Sequence, residues 1–167
     1  MQISISNFIE LEAYVKALVP RVAGLTDYAY IGQGEEFTDL IEAYYNRKYK
    51  PGLTLFFGIF DAIDNLIETN QTTAVINTQL LIMTNADRKI PYDTLRAYND
   101  AWLTMTKVIG RIEQDMECSV RNHPGKPLSI DVTDRKLHPL ENIVNSNAYG
   151  YAIELAFAIR ANTFKYS

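Results

Sequence analysis

Cysteine is almost missing from this chain. The single thiol, Cys118, can close no internal disulfide and complete no zinc site, which excludes a cysteine-stapled secreted scaffold. Histidine is nearly as scarce: His123 and His138 each precede a proline and are too few for a multi-histidine metal centre. Positive charge is not in excess either. Sixteen Lys and Arg against 20 Asp and Glu leave a net charge of -4, which argues against a domain that grips nucleic acid by bulk charge. Long apolar runs are absent. The longest, Leu53–Phe60, already contains Thr54 and Gly58 and falls far short of the ~20 residues that span a bilayer. Met1–Asn7 lacks the basic start and apolar stretch of a signal peptide, and the acids Glu10 and Glu12 follow at once. The sequence therefore predicts no membrane partner and a reducing cytoplasm, unless the protein leaves inside an assembly.

What is present is globular in kind. With 167 residues, 47% of them hydrophobic and 22% charged, the chain reads as one domain over 1–167, large enough to fold without a disulfide or metal. Asn7, with Glu10 three residues on, resembles a capping box and starts a first helix along Phe8, Leu11, Val15, Leu18, Val19 and Val22. Pro20 should kink or end it near Val19. Gly24 to Gly34 reads as a loop, and Glu35 to Tyr45 as a short helix, together a Tyr-rich insert over 24–50.

Pro51-Gly52 is a turn, and the pattern then becomes sheet-like. Leu53, Leu55, Phe57, Ile59 and Ile63 share one face of a strand; Ala74, Ile76, Thr78, Leu80 and Ile82 share one face of the next. The polar stretch 64–72 between them is too long for a two-residue turn, so a hairpin with an extended tip is expected. Pro91 opens the strongest helix, whose residues Leu95, Tyr98, Trp102, Met105, Ile109, Ile112 and Met116 form a stripe over about 26 residues, roughly 39 Å. Arg96, Asp100, Lys107, Arg111 and Gln114 lie off that stripe and should face water or a partner. Leu128, Ile130 and Val132 suggest a short strand, and Leu137 to Asn147 a loop. Tyr149, Tyr151, Ile153, Leu155, Phe157 and Ile159 mark one face of a last strand with small residues opposite. The expected fold class is α+β: an antiparallel sheet of about four strands, with the long helix and the N-terminal helix packed on one face.

The chemistry-bearing clusters are sparse. Gly32-Gln33-Gly34-Glu35 lacks both the third glycine of a dinucleotide fingerprint and the Lys-Ser/Thr of a phosphate loop, so a turn is the better reading. Asp61, Asp64 and Glu68 could pair carboxylates for hydrolysis, but a hairpin tip is usually solvated and raises no pKa. Cys118 and His123 occupy no recognised nucleophile setting. No catalytic residue, metal ligand or cofactor is assigned. The 11 tyrosines stand out instead, with Tyr28, Tyr30, Tyr44, Tyr45 and Tyr49 crowded beside Arg47, Lys48 and Lys50. Tyrosine and arginine are enriched at protein interfaces, and the acidic total favours that use over single-stranded nucleic acid. The candidate interface residues are Tyr28, Tyr30, Tyr44, Tyr45 and Arg47; Asp64, Glu68 and Asn70 at the hairpin tip; and Arg96 and Arg111 on the long helix.

Lys50-Pro51-Gly52-Leu53-Thr54-Leu55-Phe56-Phe57, the strand ending Leu80-Leu81-Ile82-Met83, and Asn147-Ala148-Tyr149-Gly150-Tyr151-Ala152-Ile153-Glu154-Leu155 carry a likeness. With the order of elements over 7–160, they make the chain similar to the tail-terminator and head-tail completion proteins of tailed phages. The resemblance implies a non-enzymatic virion protein that forms a ring, commonly six-fold, between tail tube and head-tail connector. It also implies assembly in the bacterial host cytoplasm, neighbours among the other neck and tail proteins, and DNA only as passing cargo. The Tyr-rich 24–50 segment is where the pattern departs. The alternative reading is a non-viral α+β adaptor or small-ligand-binding domain.

Overall fold

The computed structural model describes residues 5, 7–32, 37–47, 52–66, 72–122, 129–131, 137–140 and 147–160, with the backbone alone at 37, 47, 61–66, 72–74, 119–122, 129–131 and 159–160. Asn7 caps the first helix as its spacing to Glu10 predicts: its backbone is extended and its Oδ1 accepts the Glu10 N–H at 2.9 Å. Helix α1 (Phe8–Lys16) buries Leu11, Tyr14 and Val15, while Phe8 is exposed. The helix stops before Val19, and Pro20 is the second residue of a separate 3-10 turn, Val19–Arg21. Pro20 has no N–H to give to a continuing helix, but it is tolerated within the first turn of a new one.

The chain then enters β1 (Leu25–Tyr30), where a loop was expected. Helix α2 (Phe37–Arg47) follows, and then β2 (Leu53–Leu66) and β3 (Thr72–Asn85). The segment 24–50 thus supplies a strand and a helix to the fold. Because α2 carries the chain back across the sheet, β1 lies parallel to β2, with Leu25 beside Leu53 and Tyr30 beside Phe57. A 32-residue helix, α3 (Pro91–Asn122), leads to β4 (Ser129–Asp131), β5 (His138–Leu140) and β6 (Ala148–Arg160). The sheet order is β1-β2-β3-β6-β4, with β5 on the same edge of β6 as β4. The α+β class holds, but the sheet is mixed and wider than four antiparallel strands. Its extra members are β1 and the three-residue β5, both in stretches that read as loops.

Alternation along β3 and β6 follows the expected faces. Ile76, Thr78, Leu80 and Ile82 stand against Phe157, Leu155, Ile153 and Tyr151. In β2 an irregularity between Ile59 and Asp61 shifts the parity, so Ala62 stands opposite Ile76 and Ile63 opposite Val75. Ile63 therefore does not continue the face of Leu53, Leu55, Phe57 and Ile59. Gly150 sits opposite Met83, where a side-chain carbon would overlap the Ile82 carbonyl, so strand β3 approaches at a point that only glycine permits.

The inner face of the sheet packs against α1 and α3 in the main core, with Leu55, Phe57, Leu80, Ile82, Ile153 and Phe157 meeting Leu11, Val15, Met105, Val108 and Ile112. The outer face carries a second, smaller core in which Ile41 and Tyr45 of α2 cover Phe56, Leu81, Met83 and Ala152. Helices thus lie on both faces. The long helix is rotated from its expected stripe: Ala97, Ala101, Thr104, Met105, Val108, Ile112 and Met116 are buried, whereas Leu95 is 62% and Trp102 48% exposed. The two alanines let the helix lie close to the sheet; leucine and tryptophan turned inward would hold it away.

Candidate functional site

The tyrosines that suggested an interface divide by depth. Tyr45 is buried, and Tyr44 is half-buried beside it, their rings edge-on at 5.1 Å; Tyr44 meets Phe56 at the same centroid distance. The Tyr44 hydroxyl donates to Asp27 Oδ2 at 2.6 Å and lies 3.1 Å from Thr54 Oγ1, tying α2 to β1 and β2. Tyr28 packs half-buried against the main core; burial, with the Glu12 carboxylate second, pushes its pKa well above the usual phenol range. Burial does the same to Tyr45. Tyr30, 46% exposed, is the member of the group that presents a surface. Arg47 ends α2 and position 64 lies on β2, while Glu68 and Asn70 fall outside the described residues.

Arg111 belongs to a charged cluster between the N-terminal region and α3. Asp115, only 7% exposed, takes the Arg21 Nη2 at 2.7 Å and the Arg111 Nη2 at 3.0 Å on one oxygen. Its other oxygen accepts the Tyr14 hydroxyl at 3.2 Å. Burial, then the Asp115 charge, raises the Tyr14 pKa above the usual phenol range. The cluster pins α1 and the 3-10 turn to α3. A sequence pattern of apolar spacing could not reveal it, because Asp115 is a charged residue on the helix face that the fold buries.

Positions 61 and 64 fall on opposite faces of β2, since Asp61 pairs with Asn77 and Asp64 with Ala74 with no irregularity between them. The paired-carboxylate arrangement is therefore not formed by these two. Among the described residues no group of three or more His, Cys, Asp or Glu could hold a metal ion. Cys118 and His138 are exposed, and His123 lies outside the described residues. No described helix is long and apolar enough to cross a membrane.

Three surface features remain. The first is an open cleft of about 1140 Å³ beneath the start of α3, bordered by Gly24, Gly52, Asn85, Asp87 and Arg88, and by Asp93, Arg96, Asp100 and Lys107 of the helix. Its cations and acids are mixed, so no single ligand charge is selected. Gly24 (φ 110°) closes its floor, where a side-chain carbon would press on Thr104 Oγ1.

No family profile and no curated protein matches the chain. The functional reading therefore rests on surfaces and topology.

The second feature is the outer edge of β2. Strand β1 covers it only from Leu53 to Phe57, with one more bond from the Ile59 N–H to the Gly32 carbonyl. Beyond that, no described strand lies beside positions 61–66 on that side. The third is the solvent flank of α3, where Tyr92 (65% exposed), Leu95, Trp102 and Leu103 are open to water. Arg96, a candidate from its position off the expected stripe, is exposed there and lies over the Tyr92 ring at 5.4 Å.

Proposed function

We propose that this chain is a non-enzymatic structural protein of the neck or tail of a tailed phage, a terminator-like subunit that acts by forming a ring. The length of β2 beside which no described strand lies is the observation that carries this reading. Unpaired strand edges invite strand addition, and folded proteins usually cover, shorten or charge them. The sheet's other end offers a matching strand at the same level. Through Val75 and Ala158, Ile63 is in line with Ser129; through Asn77 and Ala156, Asp61 is in line with Asp131. Strand β4 of one subunit set beside β2 of the next would run antiparallel to it and continue the sheet. Such a contact is head-to-tail, and head-to-tail contacts close into rings when the rotation permits.

A ring of this kind needs no cofactor, and its work is geometric: it ends a tube by presenting a surface on which the tube protein does not add. An acidic subunit would also hold passing DNA weakly. The neighbours in this reading are copies of the chain and other neck and tail proteins, and its location is the virion, after assembly in the host cytoplasm. The cleft beneath α3 favours the alternative, an α+β adaptor or small-ligand-binding domain.

Electron microscopy of the purified chain, and of particles from a lysate that contains it, tests the proposal. Closed rings, or density between capsid and tail, are expected. In a β2 edge the N–H groups alternate between β3 and the outside, so of Ala62→Pro and Ile63→Pro one spares the β3 ladder. The folded member of that pair should form no rings. Rings that persist in it would refute the edge contact. A monomer absent from every particle, yet stabilised by a small molecule, would favour the alternative.

A further inference from the structure

The solvent flank of α3 carries a second and independent contact. Trp102, Thr106 and Gly110 are spaced by four residues and so form one ridge along the helix. Trp102, the chain's only tryptophan, stands 48% exposed at one end of it. Gly110 is exposed at the other end, and a side-chain carbon built there meets nothing within 4 Å. Glycine in the middle of an exposed helix weakens it, and no described residue packs closely enough to ask for glycine at that point. A large projecting side chain and a notch on the same ridge, equidistant from Thr106, are self-complementary. Thr106 itself suits a crossing point, since its hydroxyl is already held by the Trp102 carbonyl at 3.0 Å.

We infer that this flank binds a second copy of the chain, the two α3 helices crossing antiparallel about a two-fold axis at Thr106 with Trp102 of each seated on Gly110 of the other. The same register sets the exposed Leu103 opposite Ile109, which is half-buried against the main core. It also brings Arg96, near one end of the flank, toward the part of the other helix that carries the exposed Glu117. The flank thus has a cation near one end and an exposed acid near the other, an arrangement complementary to itself only when the helices run in opposite directions. Packing along rows of four residues gives a crossing angle of roughly -50°. The contact is isologous and uses neither β2 nor β4, so it goes beyond the ring reading and stands or falls without it.

The test is sedimentation equilibrium of the full chain, with tryptophan fluorescence across the same concentrations. The wild type should dimerise reversibly, and the emission of Trp102 should shift to the blue as it does so. Gly110→Gln fills the notch with a good helix former: the monomer's melting temperature should rise while dimer affinity falls about thirtyfold or more, the scale of a central aromatic anchor. That opposed pair of effects is not expected of a misfolded variant. Arg96→Glu should weaken the dimer, and mixing it with a Glu117→Arg chain should restore association between the two. A wild type that stays monomeric at hundreds of micromolar would overturn the inference, and so would a Gly110→Gln chain that dimerises like the wild type. The proline variants of β2 should leave this dimer intact, which separates its failure from that of the ring.

Discussion

The two faces of the sheet are built differently. On the inner face, long aliphatic and aromatic side chains of four strands meet two helices, and the buried Asp115 ties α1 and the 3-10 turn to α3. On the outer face, one helix of 11 residues covers only the end of the sheet near Phe56 and Met83. Further along that face stand Gln79, Asn77, Glu154 and Ala156, half-buried or exposed, with no described element over them. The difference separates tasks: the inner face holds the fold together, while the outer face, the β2 edge and the α3 flank remain available for contact.

Substitutions can break that division, beginning where the effect should be largest. Phe157→Ala empties a fully buried site on the inner face and should cost about 4 kcal/mol in chemical denaturation. Asp115→Ala leaves the Arg21 and Arg111 guanidiniums and the Tyr14 hydroxyl without the acceptor they share; about 3 kcal/mol should be lost, with α1 exchanging its amide hydrogens first. On the outer face, Tyr44→Phe removes the hydroxyl between Asp27 and Thr54 and should cost about 1 to 2 kcal/mol, without disturbing α1. If Tyr44→Phe destabilises as much as Asp115→Ala, the two faces are not energetically distinct. Gly110→Ala, on the solvent flank, should stabilise the monomer by about 1 kcal/mol or less.

Alkali offers a finer probe, because both faces contain protected phenols. Tyr14 and Tyr28 on the inner side and Tyr45 on the outer side have pKa values raised above the usual value near 10, mainly by burial. A raised pKa in the folded state means that the unfolded chain loses its protons first. The stabilising contribution of these groups is therefore complete below about pH 10 and is lost as pH climbs above it. Ultraviolet titration of the native protein should show these three lagging behind the rest of the 11 tyrosines. Simultaneous titration of all of them at pH 10 would mean that neither core excludes water.

The sequence made the long elements legible and hid the short ones. Period-two alternation over Ala74–Ile82 and Tyr149–Phe157 placed two strands and their inward faces, because Ile76, Leu80 and Ile82 of one and Ile153, Leu155 and Phe157 of the other point into the main core. Helix α3 was visible from its three-and-four spacing, but its orientation was not. Leu95 and Trp102 read as core by hydrophobicity, whereas close approach to the sheet selected Ala97 and Ala101 instead. Strand β1 escaped notice because Gly24 and Gly32 frame it and its partner is reached only after a helical crossover. Of the candidate site, Tyr30 and Arg96 were found on the surface, but Tyr44 and Tyr45 turned inward, where ring packing was available to both and hydroxyl partners to Tyr44. Gly110 carried no motif at all; its open surroundings appear only in three dimensions.

The place of β6 in the sheet sets a timetable for synthesis. It lies beside β3, yet it leaves the ribosome only after α3, β4 and β5 have been made. At translation rates of roughly 5 to 20 residues per second, the growing chain spends seconds with β3 bare along the side that β6 will occupy. During that interval the nascent protein is exposed to strand exchange with its neighbours on a polysome. Arrest or proteolysis between β5 and β6 would leave a fragment with that 14-residue strand permanently open and prone to aggregate.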